Sequence, residues 1–156
     1  MKRLLSIVSL FVVIIIQAQE KISFNKGEIT IPIGKEILLK PEIKNNKIIG
    51  FETVKEKDIT GKIDFFDMLH HFKKDNIKDN SIELLFSEGQ LMGAPIFVLN
   101  VIQKTGKKMN FKAKIRLKGS SSYQQTSITP AVSNSAHMEQ WKDNIDSIIL
   151  YDFELN

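Results

Sequence analysis

The segment from Lys108 to Leu117 leaves little freedom in how it folds. Met109, Phe111, Ala113, Ile115 and Leu117 alternate with Lys108, Asn110, Lys112, Lys114 and Arg116. A period of two puts every apolar side chain on one face of an extended strand and every polar one on the other. No helix sorts that pattern, so the segment reads as a half-buried antiparallel strand.

The surrounding sequence repeats the theme. Residues 96–103 are apolar on both faces and read as a more central strand, with 104–107, which contains Gly106, as a hairpin loop to the next. Ile29, Ile31 and Ile33 alternate, then Gly34-Lys35 reads as a two-residue hairpin turn before Ile37 and Leu39. Pro41 favours an edge position for that strand. Lys44-Asn45-Asn46 is a turn before residues 47–54, and Ile82, Leu84 and Phe86 mark a strand over 81–87. In the last segment, 144–155, Ile145, Ile149, Tyr151, Phe153 and Leu155 are expected to share a face. With a short start at 22–24 this makes about eight strands without any repeated βα unit. The expected class is all-β with one short helix: an antiparallel β-sandwich, with a small β-barrel as the alternative.

The helix is expected over residues 62–74. Phe65, Met68, Leu69 and Phe72 fall in one sector at 100° per residue. Asp58 or Thr60 is placed to cap it, and Lys73 and Lys74 lie late, where the helix dipole favours cations.

The N-terminus carries an address. Met1-Lys2-Arg3 is a basic start, residues 4–16 are apolar apart from Ser6 and Ser9, and small Ala18 follows. Basic start, short apolar core and small residue are the parts of a secretory signal peptide. Thirteen helical residues rise about 20 Å, short of a hydrocarbon core of about 30 Å. The expected organisation is a signal peptide over 1–18 and one β-sandwich domain over 19–156. The expected location is periplasmic or secreted, with no stable membrane insertion after cleavage. The chain has no Cys, so lipid attachment behind the signal and disulfide stapling are both excluded, and stability must come from core burial. Removing 1–18 takes Lys2 and Arg3 away and leaves 20 bases against 18 acids, a net charge of +2. Arg116 is then the sole arginine, and arginine is the usual residue for bidentate phosphate and base-edge contacts. Nucleic acid is therefore not an expected partner.

Three groups of residues are candidate sites, each with an ordinary structural explanation beside it. Asp64, Asp67, His71 and Asp75 fall on one face of the expected helix, where imidazole and carboxylates four apart suit a divalent metal. A solvated helix face needs the same residues, and no His-Glu-x-x-His or Cys pattern completes a metal site. Lys112, Lys114 and Arg116 form a basic row fit for an acidic glycan, a lipid phosphate or an acidic protein. Outward lysines also guard strands against edge-to-edge association. Tyr123, His137 and Trp141 belong to or follow a Ser/Thr-rich stretch, 118–140, which reads either as a working loop or as containing an irregular strand over 126–132 around Pro130. Trp141, the only Trp, serves equally as an interface anchor or as a cap on the core.

Catalytic signatures are sparse. There are three His and no Gly-x-Ser-x-Gly elbow or Gly-rich phosphate loop, and no cofactor is implied. The expected function is an exported soluble binding or accessory protein, acting on an envelope or extracellular protein or glycan through sandwich loops or an open sheet edge. The alternative is a small periplasmic hydrolase or metal-dependent enzyme using the Asp64, Asp67, His71 and Asp75 face or acids near His137.

Overall fold

The computed structural model describes residues 21–64 and 78–156. Among them there are eleven strands and no helix: β1 (Ser23–Asn25), β2 (Glu28–Pro32), β3 (Lys35–Lys44), β4 (Lys47–Asp58), β5 (Ile63–Asp64), β6 (Ile82–Leu91), β7 (Ala94–Gln103), β8 (Met109–Leu117), β9 (Tyr123–Thr126), β10 (Ala136–Trp141) and β11 (Ile145–Leu155). Every pairing is antiparallel except the two-residue contact of β5 with β6. The signal sequence expected over 1–18 lies outside the described residues. So does the expected helix, except for its start, where Ile63–Asp64 forms β5.

The strands make an antiparallel sandwich. One layer runs β1-β2-β11-β8-β9, the other β4-β3-β6-β7-β10, with β5 beside the end of β6. The layers join at one corner, where Glu154 pairs with Lys47 and the Leu155 amide donates to the Asn46 carbonyl at 2.8 Å. Among the described residues β9 and β10 do not pair, so the layers do not close into a ring as a barrel would.

A single core lies between the layers. Ile29 and Ile31 of β2, Met109 to Ile115 of β8, and Ile148 and Leu150 of β11 meet Ile37 and Leu39 of β3, Leu84 and Phe86 of β6 and Leu99 and Val101 of β7. Removing an Ile, Leu or Phe side chain of this size from water contributes about 1.5–3 kcal/mol. This core is where the stability of a Cys-free sandwich resides. β8 follows the alternation of its sequence: Met109, Phe111, Ala113 and Ile115 are buried, and the intervening polar residues face outward.

Two expected hairpins are corrected. Gly34-Lys35 does not turn β2 back onto β3. β2 pairs with β1 and β11, β3 pairs with β4 and β6, and the Gly34 amide bonds the Phe86 carbonyl of the other layer. Residues 104–107 likewise carry the chain from β7 in one layer to β8 in the other. Fully buried Gln103 shapes this crossing. Its Nε2 donates to the carbonyls of Lys107 (2.7 Å) and Ala131 (3.1 Å), and its Oε1 accepts from the Thr105 amide and hydroxyl. A Gly-containing turn signal marks a reversal of direction, which serves a crossing between layers as well as a hairpin.

The face expected for β11 is also corrected. Ile145, Ile148, Leu150, Phe153 and Leu155 are buried, while Ile149 and Tyr151 face outward. The register against β8 slips between Ile145 and Ser147 and again between Tyr151 and Glu154, where Asp152 has φ 55°. Each slip inserts one residue, and each insertion exchanges the inner and outer positions that follow.

Candidate functional site

The basic row of β8 faces outward as its alternation requires, but its charges already have partners. Lys112 Nζ lies 2.7 Å from Asp152 Oδ2. This contact raises the lysine above its ordinary value and holds the carboxyl below the usual carboxylate range. Lys114 sits over the Tyr151 ring, 4.9 Å from its centroid. Arg116 Nε donates to Asp146 Oδ1 at 2.8 Å, and its guanidinium lies 5.4 Å from the centroid of Tyr123. The bulge of β11 puts Asp146 and Ser147 within reach of this row. Ser147 Oγ donates to Asp146 Oδ1 at 2.8 Å and meets the Tyr123 hydroxyl at 2.8 Å. The result is a chain of polar groups, Tyr123 to Ser147 to Asp146 to Arg116, across β9, β11 and β8. Ser147 has no exposed surface, so its hydroxyl meets no substrate. Hydrogen bonds to charged groups contribute about 1.5–3 kcal/mol, so this network fastens three strands to one another.

Tyr123 is thereby separated from the two residues expected beside it. His137 and Trp141 alternate with Met138 and Gln140 on β10 and point into the sandwich. His137 packs edge-on against Phe111, and its Nε2 is 3.1 Å from Glu139 Oε1. That same oxygen accepts from the amide and hydroxyl of Thr129, at 2.7 and 2.8 Å. Trp141 Nε1 donates to Thr126 Oγ1 at 2.9 Å. Met109 pairs with Ala131, and the Gly106 amide bonds Ser133 Oγ. The stretch read as a working loop or an irregular strand over 126–132 is therefore strand β9 (Tyr123–Thr126), a stapled crossing and strand β10.

One end of the second layer is different. Leu91, Ala94, Pro95, Ile96, Gln140, Trp141 and Lys142 line an open, mainly apolar recess of about 400 Å³. The Thr126 bond fixes the Trp141 ring as one wall, and the ring also packs on the core, as a cap would. Beside the recess, Met92-Gly93 turns β6 into β7, with φ of 51° and 83°. Positive φ at both central residues is the type I′ hairpin turn, where Asn, Asp or Gly normally stands first. The other such turns among the described residues are Asn45-Asn46 and Lys26-Gly27, which are polar. Met92 is 92% exposed, the most exposed large apolar residue among those described. It was not among the sequence candidates. Its signal was an apolar residue directly before Gly between two strand-like runs.

Of the candidate metal ligands, Asp64 is half-buried on β5, and Asp67, His71 and Asp75 lie outside the described residues. Among the described residues no three His, Asp or Glu gather as a metal site would require. No family model, no curated protein and no solved structure matches this chain, so its own geometry is what points to a function.

Proposed function

We propose that this chain is an exported binding or accessory protein that grips an apolar side chain of an envelope or extracellular protein in the recess beside Trp141. The observation that carries this reading is a fixed aromatic wall next to a fully extruded Met. Met92 sits at a turn position where its side chain gains nothing from the backbone, and solvent does not favour it there. Contact with a partner supplies a reason for both. Flexible Met surfaces and rigid aromatic walls recur at protein interfaces. The polar lining is limited to Gln140 and Lys142, which suits a protein side chain better than a glycan with its many hydroxyls.

Native mass spectrometry of wild-type and Met92→Asn protein, recovered gently from the host's envelope fraction, tests this. A partner-bound species is expected in the wild type, reduced about tenfold or more in the variant, as loss of one interface anchor implies. An equally abundant complex in both, or a bare monomer in both, contradicts it.

A further inference from the structure

The outer side of β6 and β7 is closed where a two-layer sandwich is ordinarily open. Its outward pairs are Leu85 with Asn100, Ser87 with Val98 and Gly89 with Ile96. The outer side of an antiparallel layer commonly meets water. Here Ser87 is 2% exposed, Val98 3% and Ile96 6%. Yet Ile96 and Val98 do not belong to the core between the layers. Asn100 Oδ1 is shut off from water and has no hydrogen-bond partner among the described residues. Such burial needs a cover, and among the described residues no strand lies over this side.

The burial is that of a single chain, so the cover belongs to this chain. The points where residues 65–77 leave and rejoin the described fold single them out. The chain comes in over one end of this side. A Cβ at Gly89 would stand 2.9 Å from the Ile63 carbonyl oxygen and 3.7 Å from the side chains of Ile96 and Val98. β5 then ends with Asp64 beside Gln90. The chain returns at the opposite end, where the Asn80 amide donates to the Lys104 carbonyl and the Ser81 amide to Asp79 Oδ1. From Gly89 back to Ser81 is about 26 Å of strand. Residues 65–77 rise about 20 Å as an α-helix, and 78–80 make up the rest. Fully extended, the same residues reach about 45 Å and overshoot. Phe65, Met68, Leu69 and Phe72 fall in one helical sector, with Asp67 and Lys74 opposite. Residues 1–20, by contrast, join the chain before β1, at the edge of the other layer.

We propose that residues 65–77 form an amphipathic helix that docks Phe65, Met68, Leu69 and Phe72 on the outer side of β6 and β7, as a third layer over Ser87, Ile96 and Val98. A helix this short is marginal alone in water, so the sheet side is what holds it. Small Ser87 and Gly89 make the trough into which its bulky side chains fit.

The test uses the whole chain. It has no Cys, so a thiol introduced by Val98→Cys reports on this side alone. That thiol should be alkylated about tenfold or more slowly than one introduced by Lys112→Cys on the open face of β8. Adding Leu69→Ala and Phe72→Ala should speed the reaction at position 98 about tenfold, whereas adding Asp67→Ala and Lys74→Ala should not. Hydrogen exchange read by mass spectrometry tests the unaltered chain directly. Amides of 69–77 should exchange about tenfold or more slowly than in a free chain. Slow amides across β8 show that the substituted proteins remain folded. Unprotected amides over 69–77, or a thiol at 98 as reactive as the one at 112, overturn the proposal. So does a protected thiol indifferent to Leu69→Ala and Phe72→Ala in folded protein. Protection at 98 that rises with protein concentration also overturns it, since a second copy would then be the cover.

Discussion

The outer face of β8, β9 and β11 and the β6–β7 end of the molecule stand in contrast. Both present side chains that could recognise a partner. On the first, Lys112 meets Asp152, Arg116 meets Asp146, and Tyr123 meets Ser147, so the polar groups are spent on one another. On the second, Trp141 and the apolar recess lie next to Met92, which is almost fully exposed. Residue type alone does not separate a recognition surface from a fastening. What separates them is whether the groups have already found their partners within the fold.

Substitutions on the two regions should therefore fail in opposite ways. Arg116→Met leaves Asp146 without its guanidinium and Tyr123 without its cation. It should cost about 2 kcal/mol, lowering the melting temperature by roughly 4–8 °C in calorimetry, while partner binding survives in the folded fraction. Tyr123→Phe removes only the hydroxyl that meets buried Ser147 and should cost about 1 kcal/mol, or roughly 2–4 °C. If Arg116→Met instead abolished binding in fully folded protein, the outer face would be a recognition surface after all.

Met92→Asn inverts that pattern. Asn suits the first position of a type I′ turn, so stability should be unchanged or raised by about 0.5 kcal/mol or less, seen as a flat or slightly higher denaturant midpoint. Loss of partner binding at full stability is the signature of a residue kept for contact. Retained binding would remove the reason given for its exposure.

The smallest effect concerns pH. Lys112 holds the Asp152 carboxyl below its ordinary range. A depressed carboxyl stabilises the fold at pH above its unfolded value, and that contribution fades as pH falls through the folded value. Carboxyl NMR titration should find Asp152 ionising at lower pH than a free aspartate and returning to the ordinary range in Lys112→Gln. Because the pair is open to solvent, added salt should weaken the difference.

The sequence disclosed strands and faces better than partners. The alternation from Met109 to Leu117 specifies β8 with its inner and outer sets, because period two is written directly in residue type. Gly34-Lys35 and residues 104–107 were legible as turns but not as crossings between layers, since that depends on strands far along the chain. The inner face of β11 was misread because the insertions near Asp146 and Asp152 shift the pattern, and a single inserted residue has no mark in composition. Within the candidate site, Trp141 stood out by being the sole Trp. Met92 did not, because exposure at a hairpin tip is a property of the paired strands around it.

The most direct test of the comparison is a photo-crosslinking map in the host. Benzoylphenylalanine is placed at position 92 in one strain and at position 114 in another, with each protein confirmed folded by its melting curve. A discrete partner adduct is expected from position 92 and none from position 114. An adduct from position 114 with none from position 92 would contradict it and return the basic face to the centre of this protein's function.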